Sequence, residues 1–257
     1  MTPLHGPGSG DRSAKWYIGM PLVVMLVVTI ASGVVVAVLA ATGMGTDSQN
    51  AVIGIVFSLG LVLGGLALRS TLSPAVQQAI TARRVPWVPA VAIGLGMGLL
   101  FRIGAGIISQ IGEAIDPSLC EKAKEATDIV PPEQWQRVLL AISLVVLAPV
   151  GEELLFRGLM FRGFGKVWPL LPAALTAGVL FGLAHPQYYA TWSLLISICA
   201  MGVVQCLLYR RWGYPTVVAA HLMFNLIPAV LILAGYDSSD VTCATDAVVT
   251  PLLHLLV

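Results

Sequence analysis

Charge is what this sequence has least of. Only 11% of its 257 residues are Asp, Glu, Lys or Arg, against roughly 25% in an ordinary soluble domain. The remainder could not be hidden in a soluble fold, because 57% of the chain is hydrophobic and the mean hydropathy is +0.88. A net charge of +1 and a pI near 7.7 give no sign of the basic patch or stripe that a nucleic-acid footprint needs, so no nucleic-acid partner is implied. The compact zinc signature His-Glu-x-x-His is missing. So is any internal repeat between the halves, the usual mark of a transporter. Cysteine is scarce, with four residues in all. Cys199 and Cys206 lie in an apolar run at a spacing that matches no metal motif and read as buried apolar residues.

What the chain has in abundance is long apolar runs. A spanning helix needs about 20 predominantly apolar residues. Segments at 17–42, 51–68, 86–109, 137–161, 169–185, 191–209 and 214–235 qualify. The expected fold is therefore all-α, a polytopic transmembrane bundle of about seven spans whose surroundings are a lipid bilayer. The first run follows Arg12 and Lys15 but exceeds the 7–15 apolar residues of a signal-peptide core, so it is read as a span.

Lys and Arg set the orientation, because cytoplasmic loops are enriched in them. With the N-terminus inside, the cytoplasmic side receives Arg12, Lys15, Arg69, Arg83, Arg84, Arg157, Arg162, Lys166, Arg210 and Arg211, and the outer side only Lys122, Lys124 and Arg137. An odd number of spans then puts the C-terminus outside. The Ala-, Val- and Gly-rich composition suits a GC-rich bacterial genome and hence a bacterial plasma membrane.

Along the chain, residues 1–15 are rich in Gly, Pro and charge and read as a disordered cytoplasmic tail. Residues 16–136 hold the N-terminal spans and a polar outer loop, 137–235 the half that carries chemistry, and 236–257 an outer C-terminal tail. The pairs Gly60-x-x-x-Gly64 and Gly94-x-x-x-Gly98 are spaced for close helix packing in lipid. Arg102 lies inside the third span near its outer end, where snorkelling or a structural ion pair is the expected role ahead of a functional one. Cys120 and Cys243 both fall in outer segments, where oxidation to a disulfide is open to them.

Ionisable groups at membrane depth cost at least a few kcal/mol each and are expected to line a cavity and act there. The fourth span carries Glu152-Glu153-x-x-x-Arg157. Glu153 and Arg157, at i,i+4, can pair along the helix, while Glu152, turned by about 100°, stays free. The fifth ends in Phe181-x-x-x-His185 before Pro186, and the seventh carries His221-x-x-x-Asn225 with imidazole and amide on one face. Counted inward from the basic edges, Glu152, His185, His221 and Asn225 lie at a common depth of roughly 10–20 Å. A hydrolase without a Ser or Cys nucleophile needs a base for water and donors for the oxyanion. Glu152 with His185 can bind and deprotonate the water, His221 with Asn225 can stabilise the oxyanion, and Glu153 with Arg157 can fix the helix. The competing reading is a binding or transport protein that uses the same buried groups without cutting.

These three motifs, in this order and in consecutive spans, resemble the CAAX protease and bacteriocin-processing family, also known as CPBP or Abi proteins. The resemblance covers about residues 137–227. It implies an intramembrane endopeptidase related to the CAAX prenyl endopeptidase, acting on peptide or protein substrates in or at the membrane, CAAX-like or bacteriocin-like. Its implied catalytic residues are Glu152, Glu153, His185, His221 and Asn225, with Arg157 and Phe181 in support and a site facing the cytoplasm. The family is also labelled as metalloprotease. Glu152, His185 and His221 could supply three ligands to zinc with one position open, but a water activated by glutamate without any cofactor accounts for the same residues and is the expectation taken forward.

Overall fold

The computed structural model describes residues 11–127 and 130–236, the side chain of 127 excepted. Its helices are α1 (Ala14–Ala41), α2 (Thr46–Ser70), α3 (Pro74–Thr81), α4 (Trp87–Ile115), α5 (Ser118–Thr127), α6 (Gln134–Phe164), α7 (Leu170–Leu183), α8 (Trp192–Trp212) and α9 (Tyr214–Ala234). Among the described residues the only extended pairing is an isolated antiparallel bridge between Arg83 and Gly213. The chain is an all-α integral membrane protein.

Six helices (α1, α2, α4, α6, α8 and α9) are long and apolar enough to cross a membrane. The seventh expected span is α7, which has 14 residues. At 1.5 Å per residue that is about 21 Å, short of a hydrocarbon core of about 30 Å. The cause is local. Pro169 precedes the helix, and Pro186 denies His185 the helical conformation, so His185 adopts φ −113, ψ 71. The helix therefore ends after 14 residues and leaves His185 at its end. A short 3-10 turn, Pro186–Tyr188, leads on to α8.

The N-terminal segment is anchored from Asp11 onward. The Ser13 hydroxyl caps α1 by accepting from the Trp16 amide at 3.3 Å. The Asp11 carboxylate accepts from the Lys166 ammonium and the Tyr17 hydroxyl, each at 2.6 Å, with the Arg162 guanidinium at 3.8 Å. Burial alone would raise the Asp11 carboxyl, but the bonds from Lys166 and Tyr17 and the two nearby cations hold it below its usual value. Of the expected disordered tail, residues 1–10 lie outside the described residues, as do Cys243 and the chain beyond Tyr236.

Both glycine pairs sit at helix crossings. A Cβ on Gly60 would lie 2.9 Å from a Val28 methyl, and one on Gly64 would collide with Val24, so α2 lies close against α1. A Cβ on Gly94 would stand 2.6 Å from the Ala219 Cβ, and one on Gly98 2.6 Å from the Met223 Cβ. That close approach fixes α9, which carries His221 and Asn225, on α4. At the α8–α9 turn Gly213 takes φ +94, a conformation open mainly to glycine, and the Ala82 carbonyl fills the place of a side chain. The outward face of α1, with Leu26, Ile30 and Val34 exposed at helical spacing, suits contact with lipid.

Candidate active site

α6 is not a regular helix. It changes to π geometry over Ser143–Leu147, returns to α over Ala148–Glu153, and changes again over Leu154–Met160 before closing as Phe161–Phe164. The two carboxylates thus stand between two widened turns, a device found most often at functional sites. In the first π turn the Ala148 amide donates to Ser143 O. The next donor in that register would be residue 149, a proline without an N–H. Leu144 O is thereby left unclaimed by its own helix and accepts from Asn225 Nδ2 at 2.9 Å. Beside the pair, a Cβ on Gly151 would lie 2.9 Å from the Leu61 Cβ and the Val62 amide nitrogen, so α2 presses directly on this turn.

Glu153 and Arg157 are fully buried. Arg157 Nη1 donates to Glu153 Oε1 at 3.0 Å and Nη2 donates to Gly202 O at 3.2 Å. The same Glu153 oxygen bonds His221 Nδ1 at 2.9 Å. Phe181 is the hub of the aromatic packing. The Arg157 guanidinium carbon lies 4.1 Å from its ring centroid, within the range of a cation–π contact, while Phe156, His185 and His221 pack around it at 5.1, 4.9 and 5.8 Å.

Glu152 turns the other way. Its Oε2 lies 3.9 Å from His185 Nε2 and 3.9 Å from His221 Nε2, and it is buried without a hydrogen-bond partner. His185 Nδ1 lies 2.8 Å from Phe181 O. A carbonyl can only accept, so that nitrogen carries the proton and Nε2 offers a lone pair. Both imidazoles are thus oriented through Nδ1 and present Nε2 to the same carboxylate oxygen. Buried polar atoms rarely go unpaired, and a water among the three would have the partners that buried waters require.

Two His and one Glu are the ligand types of a catalytic zinc site. Glu152 Oε2 stands 3.9 Å from each imidazole Nε2, against roughly 3.4 Å between adjacent ligands about 2.1 Å from a tetrahedral zinc. Among the described residues no group of three or more His, Cys, Asp or Glu side chains is gathered closely enough to hold a metal ion.

Glu152, Glu153, Arg157, Phe181, His185 and His221 therefore form one cluster drawn from α6, α7, α9 and the turn after α7, while Asn225, one turn beyond His221 on α9, bonds the Leu144 carbonyl of α6. The first role expected of Asn225 needs an addition, because one of its two N–H bonds is committed to Leu144 O. The Arg102 guanidinium carbon lies 5.4 Å from the centroid of Phe224, a ring on α9, within the range of a cation–π contact. The expected pairing of Cys120 with Cys243 falls on a residue outside the described ones, while Cys199 and Cys206 are free thiols.

Sequence reasoning missed Tyr188, whose ring stacks on His185 at 6.2 Å and 13°, and the carbonyls of Leu144 and Gly202. Pro149, five positions after Leu144, was the one available signal for the first carbonyl. Nothing in the sequence marks the second.

In a comparison with known families, residues 134–227 match the family model described as Type II CAAX prenyl endopeptidase Rce1-like. That segment spans α6 to the middle of α9 and contains every residue of the cluster. No curated protein and no solved structure is matched.

Proposed function

Because residues 134–227 carry a domain of this Rce1-like type, the same family that the motifs resemble, we propose that the protein is an intramembrane endopeptidase. It hydrolyses peptide bonds of membrane-associated substrates with a water activated by Glu152. The observation that carries this reading is the Glu152 Oε2 atom, buried, without a protein partner and faced by two imidazole Nε2 atoms at 3.9 Å.

In this mechanism the water sits between Glu152 and His185. Glu152 takes one of its protons while His185 Nε2 accepts a hydrogen bond from the other, and the oxygen attacks the scissile carbonyl carbon. The developing oxyanion is met by the second N–H of Asn225 and by the Nε2–H of His221 acting as the imidazolium, whose Nδ1–H donates to Glu153, itself paired with Arg157. Collapse of the tetrahedral adduct breaks the C–N bond as Glu152 passes its proton to the leaving amine, which restores the carboxylate. General-base action of this kind contributes about 10²- to 10⁴-fold, and one oxyanion donor about 10²- to 10³-fold. A zinc ion, if one were held by Glu152, His185 and His221, would supply Lewis-acid activation of the same water. The proposed chemistry does not require it.

The basic end of the bundle is read as cytoplasmic, which would open the site to substrates on that side of a bacterial plasma membrane. The test is cleavage of a membrane-peptide library by detergent-purified protein, wild type against Glu152→Ala and His221→Ala, each with and without a zinc chelator. Products from the wild type alone, unchanged by the chelator, are expected. Identical product profiles from all three proteins would transfer the site to a binding or transport role, and loss of cleavage with the chelator would overturn the metal-free chemistry.

A further inference from the structure

α9 is bonded to α6 by a stripe of its side chains. The His221 Nδ1–H donates to Glu153 at 2.9 Å, and Asn225 Nδ2 donates to Leu144 O at 2.9 Å. A further bond lies outside the motifs: the Tyr214 hydroxyl donates to Val150 O at 2.8 Å. His221 and Asn225 follow Tyr214 by seven and eleven residues, which is about two and about three turns of helix, so all of these side chains share one face of α9.

Val150 O is placed where its own helix holds it least. It lies two residues before Glu152, in the short α stretch Ala148–Glu153. Its helical donor, the Leu154 amide, is shared with Gly151 O as α6 passes into its second π stretch. A carbonyl has two lone pairs, so it can take the phenol as well. The turn that carries both glutamates is thus bonded from α9 at the point where backbone bonding changes register.

Tyr214 is fixed at its other end. It is the first residue of α9, and its amide donates to Ala82 O at 3.0 Å, while the Arg84 amide donates to Trp212 O at 3.1 Å around the Arg83–Gly213 bridge. Its partly buried ring packs against the apolar core. One side chain therefore connects the start of α9, the segment before α4 and the turn below Glu152.

We propose that Tyr214 is a positioning residue of the active site, its hydroxyl setting the Glu152–Glu153 turn of α6 in register with His221 and Asn225 of α9. The inference rests on the endopeptidase reading and extends it to a residue outside the three motifs. Glu152 Oε2 stands 3.9 Å from both imidazoles, and a misplacement of about 1 Å at such a site can lower the rate by about 100-fold.

The test uses the full-length protein in detergent with a peptide that the wild type cleaves and Glu152→Ala does not. Tyr214→Phe keeps the ring and removes one donor, and Val150 O retains its share of the Leu154 amide, so no acceptor is stranded. The expected result is a fall in kcat of about 10- to 100-fold with KM within a factor of two. Tyr209→Phe removes a matching bond at the far end of α8, from a buried hydroxyl to Ile80 O at 2.8 Å. It should leave kcat within a factor of two.

A second measurement separates register from general support of the fold. A phosphinate analogue of the same peptide, which mimics the tetrahedral adduct, should bind Tyr214→Phe more weakly by about the same factor as the fall in kcat, while the Kd of the uncleaved peptide on a Glu152→Ala background stays unchanged. Because Tyr214 acts through the placing of His221, the Tyr214→Phe, His221→Ala double variant should bind the phosphinate at least threefold more tightly than the product of the two single losses predicts. A Tyr214→Phe enzyme with kcat within threefold of the wild type, an equal fall in kcat for Tyr209→Phe, or a double variant that matches the product would overturn the assignment and leave the endopeptidase standing. A wild type that cleaves no peptide would overturn both.

Discussion

Replacing Arg157 with methionine isolates the buried ion pair that supports the site. The guanidinium is fully buried, donates to Glu153 at 3.0 Å and to Gly202 O at 3.2 Å, and covers the Phe181 ring at 4.1 Å. Methionine fills most of the volume but cannot pair. Glu153 would keep only its bond to His221, its other oxygen being already without a hydrogen-bond partner. Removing one partner of a buried pair costs about 3–5 kcal/mol, chiefly because a charge is stranded. For a chain of this size each kcal/mol moves the midpoint by about 2–4 °C, so thermal unfolding in detergent should fall by roughly 6–20 °C. The double variant Glu153→Gln with Arg157→Met removes the stranded charge and should recover more than half of that loss, a non-additivity expected of groups in contact. A midpoint within about 2 °C of the wild type for Arg157→Met, or a double variant that falls by the sum of the two singles, would refute the reasoning.

Three further outcomes follow from the packing and the charges. Gly98→Val places a side chain where Met223 and the Ala220 carbonyl already stand, so overpacking of about 1–3 kcal/mol and displacement of His221 should lower both stability and cleavage. Gly96→Ala, which meets nothing within 4 Å, should be neutral or stabilising by up to about 1 kcal/mol, as melting of the two variants side by side will show. The Asp11 carboxyl is held below its usual value in the folded protein, so its contribution is complete above the unfolded value of about 3.9 and disappears as pH falls through the lower folded value. Asp11→Asn should therefore flatten that acid limb of a stability profile, and an unchanged limb would show that the clasp to Lys166 and Arg162 does not form in solution. If Cys120 and Cys243 are joined, non-reducing mass spectrometry will find them in one linked peptide, and two free thiols would dismiss the bridge.

The motifs were legible because each is a local spacing. Glu153 and Arg157 at i,i+4 had to meet on any helix, and they do. Apolar runs of sufficient length identified the long helices and α7, though not α3 or α5, and the paired glycines marked two of the crossings. The features missed are those that a uniform helix hides. The π turns either side of Glu152 and Glu153 alter which carbonyls are free, and no hydrophobic period reports a change of register. Pro186 was legible as the end of α7 with His185 at its edge, as the structure has it, though the helix is two residues shorter at that end than the apolar run. Arg102 was read from its distance to the edge of the membrane, whereas its contact with Phe224 depends on how α4 and α9 cross.

The account turns on Glu152 as the base. The most direct measurement is the steady-state kcat of Glu152→Gln against wild type on one peptide with a mass-defined cleavage site, with matched circular-dichroism melts to show that both proteins are folded. A carboxamide keeps the volume and cannot take the proton, so kcat should fall by about 10²- to 10⁴-fold while peptide binding persists. A folded Glu152→Gln protein that cleaves the same bond within threefold of the wild-type rate would contradict the mechanism at its centre.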